Sequence, residues 1–434
     1  MSVLPRWTVK TSGEIAPDER LPWPQTIAIG IQHVVAMFGS TALAPILMGF
    51  DPNTAIFFSG IGTLIFFVIT GGRLPSYLGS SFAFIAVVIA ATGFSGSGPN
   101  PNIPVALGGI VACGFVYALI GVIVHVSGTA WVEALMPPVV TGSIVAAIGL
   151  NLAPVGVKNM SGGAFETVVG LITVLAVGLI AVKGSGISRR LPILLGAIVG
   201  YVTYWIGANL LGFAKPIDFS GVASAAWVGM PHLESPVFTA SAIVLIAPIA
   251  IILVAENLGH IKALAAMTGR DFDPLIGRAF LADGIATMVS GFGGGTGVTT
   301  YAENMGVMAV TKVYSTLLFV VAALFAIVLG FSPKFGALIL TIPVPVIGGL
   351  ALVVFGLIAA TGGRIWVLNR VDFARARNLI TAGVALTAGA GDLTIKAGGF
   401  SLGGIGTATF GAIILYHLLR GDDRADASGS ADAV

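Results

Sequence analysis

From about residue 27 to residue 419 the chain is a succession of apolar stretches, most of them close to twenty residues long and joined by short polar connections. About 20 apolar residues cross hydrocarbon as a helix, because a helix satisfies every backbone N–H and C=O within itself. This pattern predicts a polytopic, all-α membrane protein. Charged residues make up 9% of the chain, against roughly 25% in soluble domains. The 21 basic residues form no tract in a soluble domain, so the net charge of +2 does not point to nucleic acid. Cys113 is the single cysteine and lies in an apolar run, which excludes a disulfide framework or a cysteine metal site. The polar residues 1–22 end in Asp18-Glu19-Arg20 and do not look like a cleavable signal, so they are read as a cytoplasmic arm. The tail 421–434 is small and polar and is read as disordered.

Fourteen spans are predicted, over 27–50, 54–72, 77–93, 104–127, 139–154, 167–183, 191–213, 236–257, 275–291, 298–311, 313–331, 335–360, 377–391 and 404–419. The third and tenth are the least helical, broken by Gly, Ser and Thr, and the thirteenth is weak. Charge placement tests the count. With a cytoplasmic N-terminus, Lys158, Lys215, Lys334 and Lys396 fall outside and the other 17 of 21 basic residues fall inside or at the inner edge, as the positive-inside rule requires. Dropping a middle span would invert everything after it and spoil that bias. The cluster Arg364, Arg370, Arg375 and Arg377 is read as a topology anchor.

The halves echo each other. Met136-Pro-Pro-Val-Val-Thr-Gly142 opens the fifth span and Ile342-Pro-Val-Pro-Val-Ile-Gly348 lies in the twelfth, while the polar third span is matched by the polar tenth. Both pairs lie seven spans apart. An odd offset puts the second copy into the membrane upside down, the inverted-repeat arrangement of secondary transporters, whose substrate lies near the midplane between interrupted segments.

Those interrupted segments read Tyr77-Leu-Gly-Ser-Ser-Phe82-Ala-Phe84 and Gly291-Phe-Gly-Gly-Gly-Thr-Gly-Val-Thr-Thr300, the latter followed by Tyr301-Ala302-Glu303-Asn304. Irregular backbone at membrane depth is tolerated only where it is buried in protein or lines a cavity. Close packing of helices through small residues is the structural alternative. No Gly-Lys-Ser or Gly-Lys-Thr follows the glycines, so a phosphate loop is a poor reading. Three carboxylates, Glu256, Asp283 and Glu303, accompany these segments. A charge there costs about 3 kcal/mol even on the mildest scale, so such groups face a cavity, a partner or a substrate. No His-Glu-x-x-His spacing is present, and no metal or cofactor is expected.

The run Glu303-Asn-Met-Gly-Val-Met-Ala-Val-Thr-Lys312, together with Gln32-His33 in the first span and Val254-Ala-Glu-Asn-Leu-Gly-His260, resembles the nucleobase-ascorbate transporter family. The likeness covers residues 20–420 and is strongest to its uracil and pyrimidine permeases, including those of uracil degradation. It implies a fourteen-span, seven-plus-seven inverted repeat and a homodimer in a bacterial cytoplasmic (inner) membrane, with both termini cytoplasmic. It also implies a core domain (23–127 and 236–331) and a gate domain (128–235 and 332–420). Glu256 and Glu303 would hold the substrate ring. Backbone amides at Phe82 and Ala302 would contact it, the Phe82 ring would pack on it, and Ser81 and Tyr301 would lie beside it. His260, with Glu256 and Asp283, would belong to proton coupling, the proton being the coupling ion and no cofactor being needed. Gln32, His33, Asn304 and Phe355 would support the site. Ala302 stands where Gly is common, Phe355 replaces an expected tyrosine, and Asp283 is an acid where one uracil permease pattern has an amide.

The implied activity is proton-coupled import of uracil or a related pyrimidine, not an enzyme reaction. Rival readings are a purine base or an organic anion on the same scaffold, an intramembrane enzyme, and a passive channel. For Asp283 two roles stay open: proton relay, or acceptor for the backbone of the tenth span.

Overall fold

A computed structural model describes residues 5–94, 98–185, 188, 191–397 and 400–420. The tail 421–434 lies outside them. Among the described residues nine helices are long and apolar enough to cross a membrane, ten if one bent pair is counted as a span.

In chain order a short parallel pair, β1 (Thr8–Val9) and β2 (Glu19–Arg20), precedes α1 (Trp23–Met48) and α2 (Pro52–Ile69). Strand β3 (Leu78–Ser80) leads into α3 (Phe84–Thr92), then α4 (Ile103–Ser127), α5 (Ala130–Leu135), α6 (Pro138–Met160), α7 (Ala164–Lys183) and α8 (Pro192–Trp205). After α9 (Ser220–Ser224) come α10 (Ala240–Ile246), α11 (Ile249–Thr268) and α12 (Ile276–Gly293). Strand β4 (Val298–Thr300) leads into α13 (Ala302–Thr311), followed by α14 (Leu317–Gly330), α15 (Pro333–Leu340), α16 (Val344–Leu368) and α17 (Ala376–Ala390). A hairpin of β5 (Ile395–Ala397) and β6 (Phe400–Leu402) precedes α18 (Gly404–Leu418).

Two expected spans are corrected. The eighth was placed at 236–257, but its helix continues to Thr268, so Glu256 and His260 lie within α11 rather than at its end. Polar residues on the buried side of a long helix lower its apparent hydropathy without ending it. The twelfth was placed at 335–360. Residues 333–340 instead form α15, bent by 84° from α14, and the membrane helix α16 starts at Val344, beyond Pro343. Proline cannot continue a helix from the preceding turn, so the apolar run is cut there. Six other expected spans carry α-helices of under 18 residues: α3 with 9, α13 with 10, α8 and α14 with 14 each, and α17 and α18 with 15 each, α8 running on through a π-helical turn to Leu210.

The chain gathers into two compact units, residues 1–129 with 155–353 and residues 130–154 with 354–434. In the second, Gly142 and Gly149 of α6 admit the backbone of α16 at Gly362 and Phe355, and Trp366 Nε1 donates to Val139 O at 3.1 Å. Phe355 is fully buried in this contact.

The first unit contains both interrupted segments. Helices α4 and α12 cross at Gly114, Gly121, Gly277 and Gly284, where an added Cβ would strike the facing backbone. Small residues permit such contact in membranes, where lipid offers no hydrophobic drive for helix association. The arm 5–22 is bound to this unit: Ile15 is fully buried, its N–H donates to Lys312 O at 2.9 Å, and its C=O accepts from Tyr314 N–H at 2.8 Å.

Between these helices β3 and β4 pair antiparallel, with Leu78 opposite Thr300, Gly79 opposite Thr299 and Ser80 opposite Val298. The pairing continues through Tyr301 N–H to Tyr77 O at 3.0 Å and Ser81 N–H to Gly297 O at 2.9 Å. A two-stranded sheet in a membrane leaves two edges unpaired. Flanking helices cover them. Thr63 of α2 accepts from Leu78 N–H at 2.9 Å, and Thr287 of α12 accepts from Val298 N–H at 3.2 Å while donating to Val298 O at 3.1 Å. Gly79 is required because any Cβ there would collide with the Tyr301 ring.

If Thr287 caps the β4 edge, Thr287→Val leaves the buried Val298 N–H unpaired at nearly constant volume. The expected loss is about 1–3 kcal/mol of stability, read as a lower melting temperature in detergent, with Thr287→Ser largely retaining it. Wild-type melting of the Val variant would overturn this account of the edge.

Candidate functional site

The strand pair delivers two short helices into the interior of the first unit. Antiparallel register relates Leu78 to Val298 and Gly79 to Thr299 by a local two-fold, which makes Phe82 equivalent to Ala302. Each lies just beyond its strand, at the start of α3 or α13. Helix starts offer backbone N–H groups with no intrahelical acceptor. Phe82 is buried, 9% exposed, while Ala302 and Gly306 lie on an exposed face of α13.

Glu303 stands in the first turn of α13 and is half-buried. Ser40 of α1 donates its hydroxyl to Glu303 Oε1. Glu256, also half-buried, projects from α11 close enough to Glu303 for their charges to repel, and it lies within the same reach of Asp283. His260 follows Glu256 by four residues, on the same helix face. Its Nδ1 meets Thr300 Oγ1 at 2.8 Å, and Thr300 Oγ1 reaches Asn257 Oδ1 at 3.4 Å. Thr300 has one hydroxyl proton. With that proton on Asn257, His260 donates through Nδ1–H and Nε2 is left as an acceptor.

Behind this lies a fully buried group. Asn257 Nδ2 donates to Asp283 Oδ2 at 2.5 Å and to Tyr117 OH at 2.9 Å, and Tyr117 OH lies 3.5 Å from Asp283 Oδ2. Asp283 Oδ1 is buried with no hydrogen-bond partner among the described residues. Asp283 thus meets the neighbour of Glu256 through Oδ2.

Two residues expected beside the substrate have their side chains committed elsewhere. Tyr301 is buried, its hydroxyl donates to Ser80 O at 2.8 Å and accepts from Thr41 Oγ1 at 3.1 Å. A buried phenol needs partners, and the strand pair supplies one. Ser81 Oγ accepts from Ala83 N–H at 3.3 Å and so helps start α3. Of the expected supports, His33 braces α13: its Nδ1 and its backbone O each lie 3.0 Å from Asn304 Nδ2, and its ring packs on Phe319. Gln32 Nε2 is buried with no hydrogen-bond partner among the described residues. Phe355 belongs to the second unit. Cys113 is buried, as a core residue should be. Among the described residues no group of three or more His, Cys, Asp or Glu could hold a metal ion.

Sequence reasoning missed Ser40, Tyr117 and Asn257. Ser40 and Tyr117 lie in apolar spans without a distinguishing pattern, and only Asn257, next to Glu256, carried a signal that could have exposed it.

Comparison with known proteins places this geometry in context. The permease family Xan_ur_permease matches residues 24–398. The putative pyrimidine permease RutG of Escherichia coli K12 is 62% identical over 419 residues, 96% of this chain and 95% of that one. The uracil permease of E. coli K12 is 40% identical over 421 residues, 94% of this chain and 95% of that one, and that of Bacillus caldolyticus is 39% identical over 416 residues, with 92% and 93% covered. Among solved structures, the transmembrane domain of the cyanobacterial bicarbonate transporter BicA superposes with a TM-score of 0.61 at 15% identity, covering 90% of this chain and 96% of that one. The murine anion transporter Slc26a9 in its inward-facing state gives 0.65 at 13% identity, covering 91% and 68%. At such identities the likeness is one of fold alone.

The role proposed for Asp283 is that of a buried acceptor, because its Oδ2 accepts from Asn257. Asp283→Asn should therefore fold and retain transport. Asp283→Ala, which strips the acceptor from Asn257, should lose about 1–3 kcal/mol of stability. An Asn variant that melts like wild type and binds substrate but cannot accumulate it would establish proton relay instead.

Proposed function

Since the chain belongs to the Xan_ur_permease family of permeases, we propose that it imports uracil or a related pyrimidine base across the bacterial cytoplasmic membrane, together with a proton. The observation that carries this reading is the pairing of Glu256 and Glu303, two carboxyl groups close enough to repel, at the start of α13. Relatives named uracil and pyrimidine permeases, 40% and 62% identical over nearly the whole chain, support the cargo class.

Uracil presents N–H and C=O groups side by side on one edge. A carboxylate facing that edge accepts from N–H, a protonated carboxyl also donates to C=O, and backbone amides serve the remaining carbonyl. A site so built rejects analogues that leave its polar groups unpaired. Two neighbouring carboxyl groups do not both carry charge without cost, so bringing in a proton favours the bound state, and substrate and proton become linked. The Phe82 ring, at the start of α3, is proposed to pack on the base. His260, one turn from Glu256 and held by Thr300, is proposed to join the proton path.

The same carboxylates oppose an anionic cargo. An anion site needs fixed positive charge, and the basic residue nearest in sequence to Glu303 is Lys312, at the far end of α13. The related solved structures are anion transporters, but their likeness concerns fold. A purine cargo on the same scaffold stays as the competing reading, distinguished by competition.

The proposal includes fourteen spans in a seven-plus-seven inverted repeat, core and gate domains, both termini in the cytoplasm, and a homodimer. The repeat is supported by the local two-fold through β3 and β4 and by the positions of the two echoed segments, since α6 begins at the third residue of one and α16 at the third residue of the other.

The deciding experiment is uptake of labelled uracil into proteoliposomes with an imposed inward proton gradient and a panel of competing bases. Accumulation should collapse with an uncoupler while exchange persists; accumulation insensitive to the gradient would remove proton coupling. Glu256→Gln and Glu303→Gln should each weaken uracil binding by more than about tenfold, as expected for a lost hydrogen bond to a charged group. Normal binding by either variant would remove that residue from the ligand set. Phe82→Ala should weaken binding by about tenfold, in the range of about 1–3 kcal/mol for base stacking, and a silent substitution would assign Phe82 to the core.

A further inference from the structure

We infer that Ser40 is a positioning residue for substrate recognition: it fixes the carboxyl group of Glu303 from α1, so that one oxygen is held by the protein and the other is left for the ligand. The inference rests on the functional reading above and adds to it a residue of the first span.

The hydroxyl of a serine or threonine inside a helix has a default partner, the carbonyl four residues earlier. This chain follows the default widely. Thr92 bonds Val88 O, Ser143 bonds Val139 O, Thr173 bonds Val169 O and Thr409 bonds Ile405 O, all between 2.6 and 2.9 Å. Ser40 does not. It is fully buried in α1, and its hydroxyl goes to Glu303 Oε1, across to another helix and 263 residues away in sequence.

Its neighbours explain why the contact is firm. Thr41 donates to the Tyr301 hydroxyl at 3.1 Å, and His33, two turns before Ser40, holds Asn304 through its ring and its carbonyl. One face of α1 therefore meets α13 at Tyr301, Glu303 and Asn304. Tyr301 and Asn304 are held as scaffold. Glu303 is different, because it is half-exposed and sits beside the exposed Ala302. A glutamate side chain has three rotatable torsions, and freezing them is part of what binding must otherwise do. Ser40 performs that ordering before the substrate arrives. An alanine at this position leaves the backbone of α1 intact and removes only the anchor.

The test compares Ser40→Ala, Ser40→Thr and wild type for equilibrium binding of uracil in detergent and for melting temperature. Ser40→Ala should bind about tenfold more weakly, the worth of one hydrogen bond to a charged group, with melting close to wild type, and Ser40→Thr should recover most of the affinity. In a Glu303→Gln background the alanine substitution should cause little further loss, because the group it positions has changed. Unchanged affinity in Ser40→Ala, with wild type binding uracil, overturns the inference. So does a loss of affinity that tracks a lowered melting temperature and is not recovered by Thr, which would make Ser40 a packing residue. A wild type that binds no pyrimidine base instead overturns the proposed function, and the inference with it.

Discussion

Everything specific about this protein depends on extended backbone placed where hydrocarbon would not tolerate it. Six residues, Leu78–Ser80 and Val298–Thr300, leave the helical state inside a helical bundle. Each unpaired N–H or C=O in such a setting costs several kcal/mol, on the order of a lost hydrogen bond in an apolar medium. The strands meet part of that demand by pairing with each other. Thr63 and Thr287 bond two of the outward N–H groups from α2 and α12. Glycine at position 79 then lets Tyr301 lie against the strand pair.

Once that backbone is held, the site follows from geometry. A strand that ends in a helix start presents N–H groups at its tip, and the local two-fold presents two such tips. Glu303 occupies the first turn beyond one tip, and Glu256 approaches from α11. The buried group Asn257, Tyr117 and Asp283 ties the neighbour of Glu256 to the strand that carries Glu303's helix. A change in one carboxyl group is thereby mechanically connected to the backbone beneath the other. The proposed linkage of proton and substrate would run through that connection.

Rigidity around the site is supplied by small residues. Helices α4 and α12 approach through Gly114, Gly121, Gly277 and Gly284, leaving no room for even a methyl group. Such contacts replace the hydrophobic drive that lipid removes. The arm 5–22 adds a further clasp, with Ile15 bridging to the residues just after α13. Trp7 Nε1 and Pro17 O bond Thr316, and Asp18 pairs with Arg270, so the arm is held at several points.

The amino-acid sequence by itself determined the membrane class, the two interrupted segments, the carboxylates and the approximate spans, because these rest on local composition and on the solvation cost of charge. It also marked Glu256 and Glu303, whose cost in hydrocarbon demands a reason. It placed the end of α11 eleven residues too early, at 257 rather than 268, and missed the break before Val344, since polar residues on a buried face and a proline between two apolar runs mislead hydropathy in opposite directions. Tertiary structure alone decided which polar side chains meet one another and which are committed to backbone. Ser81 and Tyr301 lie in the same motif as Phe82 and Ala302, yet their oxygens are committed to backbone, whereas Ser40, unremarked in an apolar helix, reaches Glu303. Partnership of a buried hydrogen-bonding group depends on what stands opposite it in space, and sequence spacing does not encode that for residues more than two hundred positions apart.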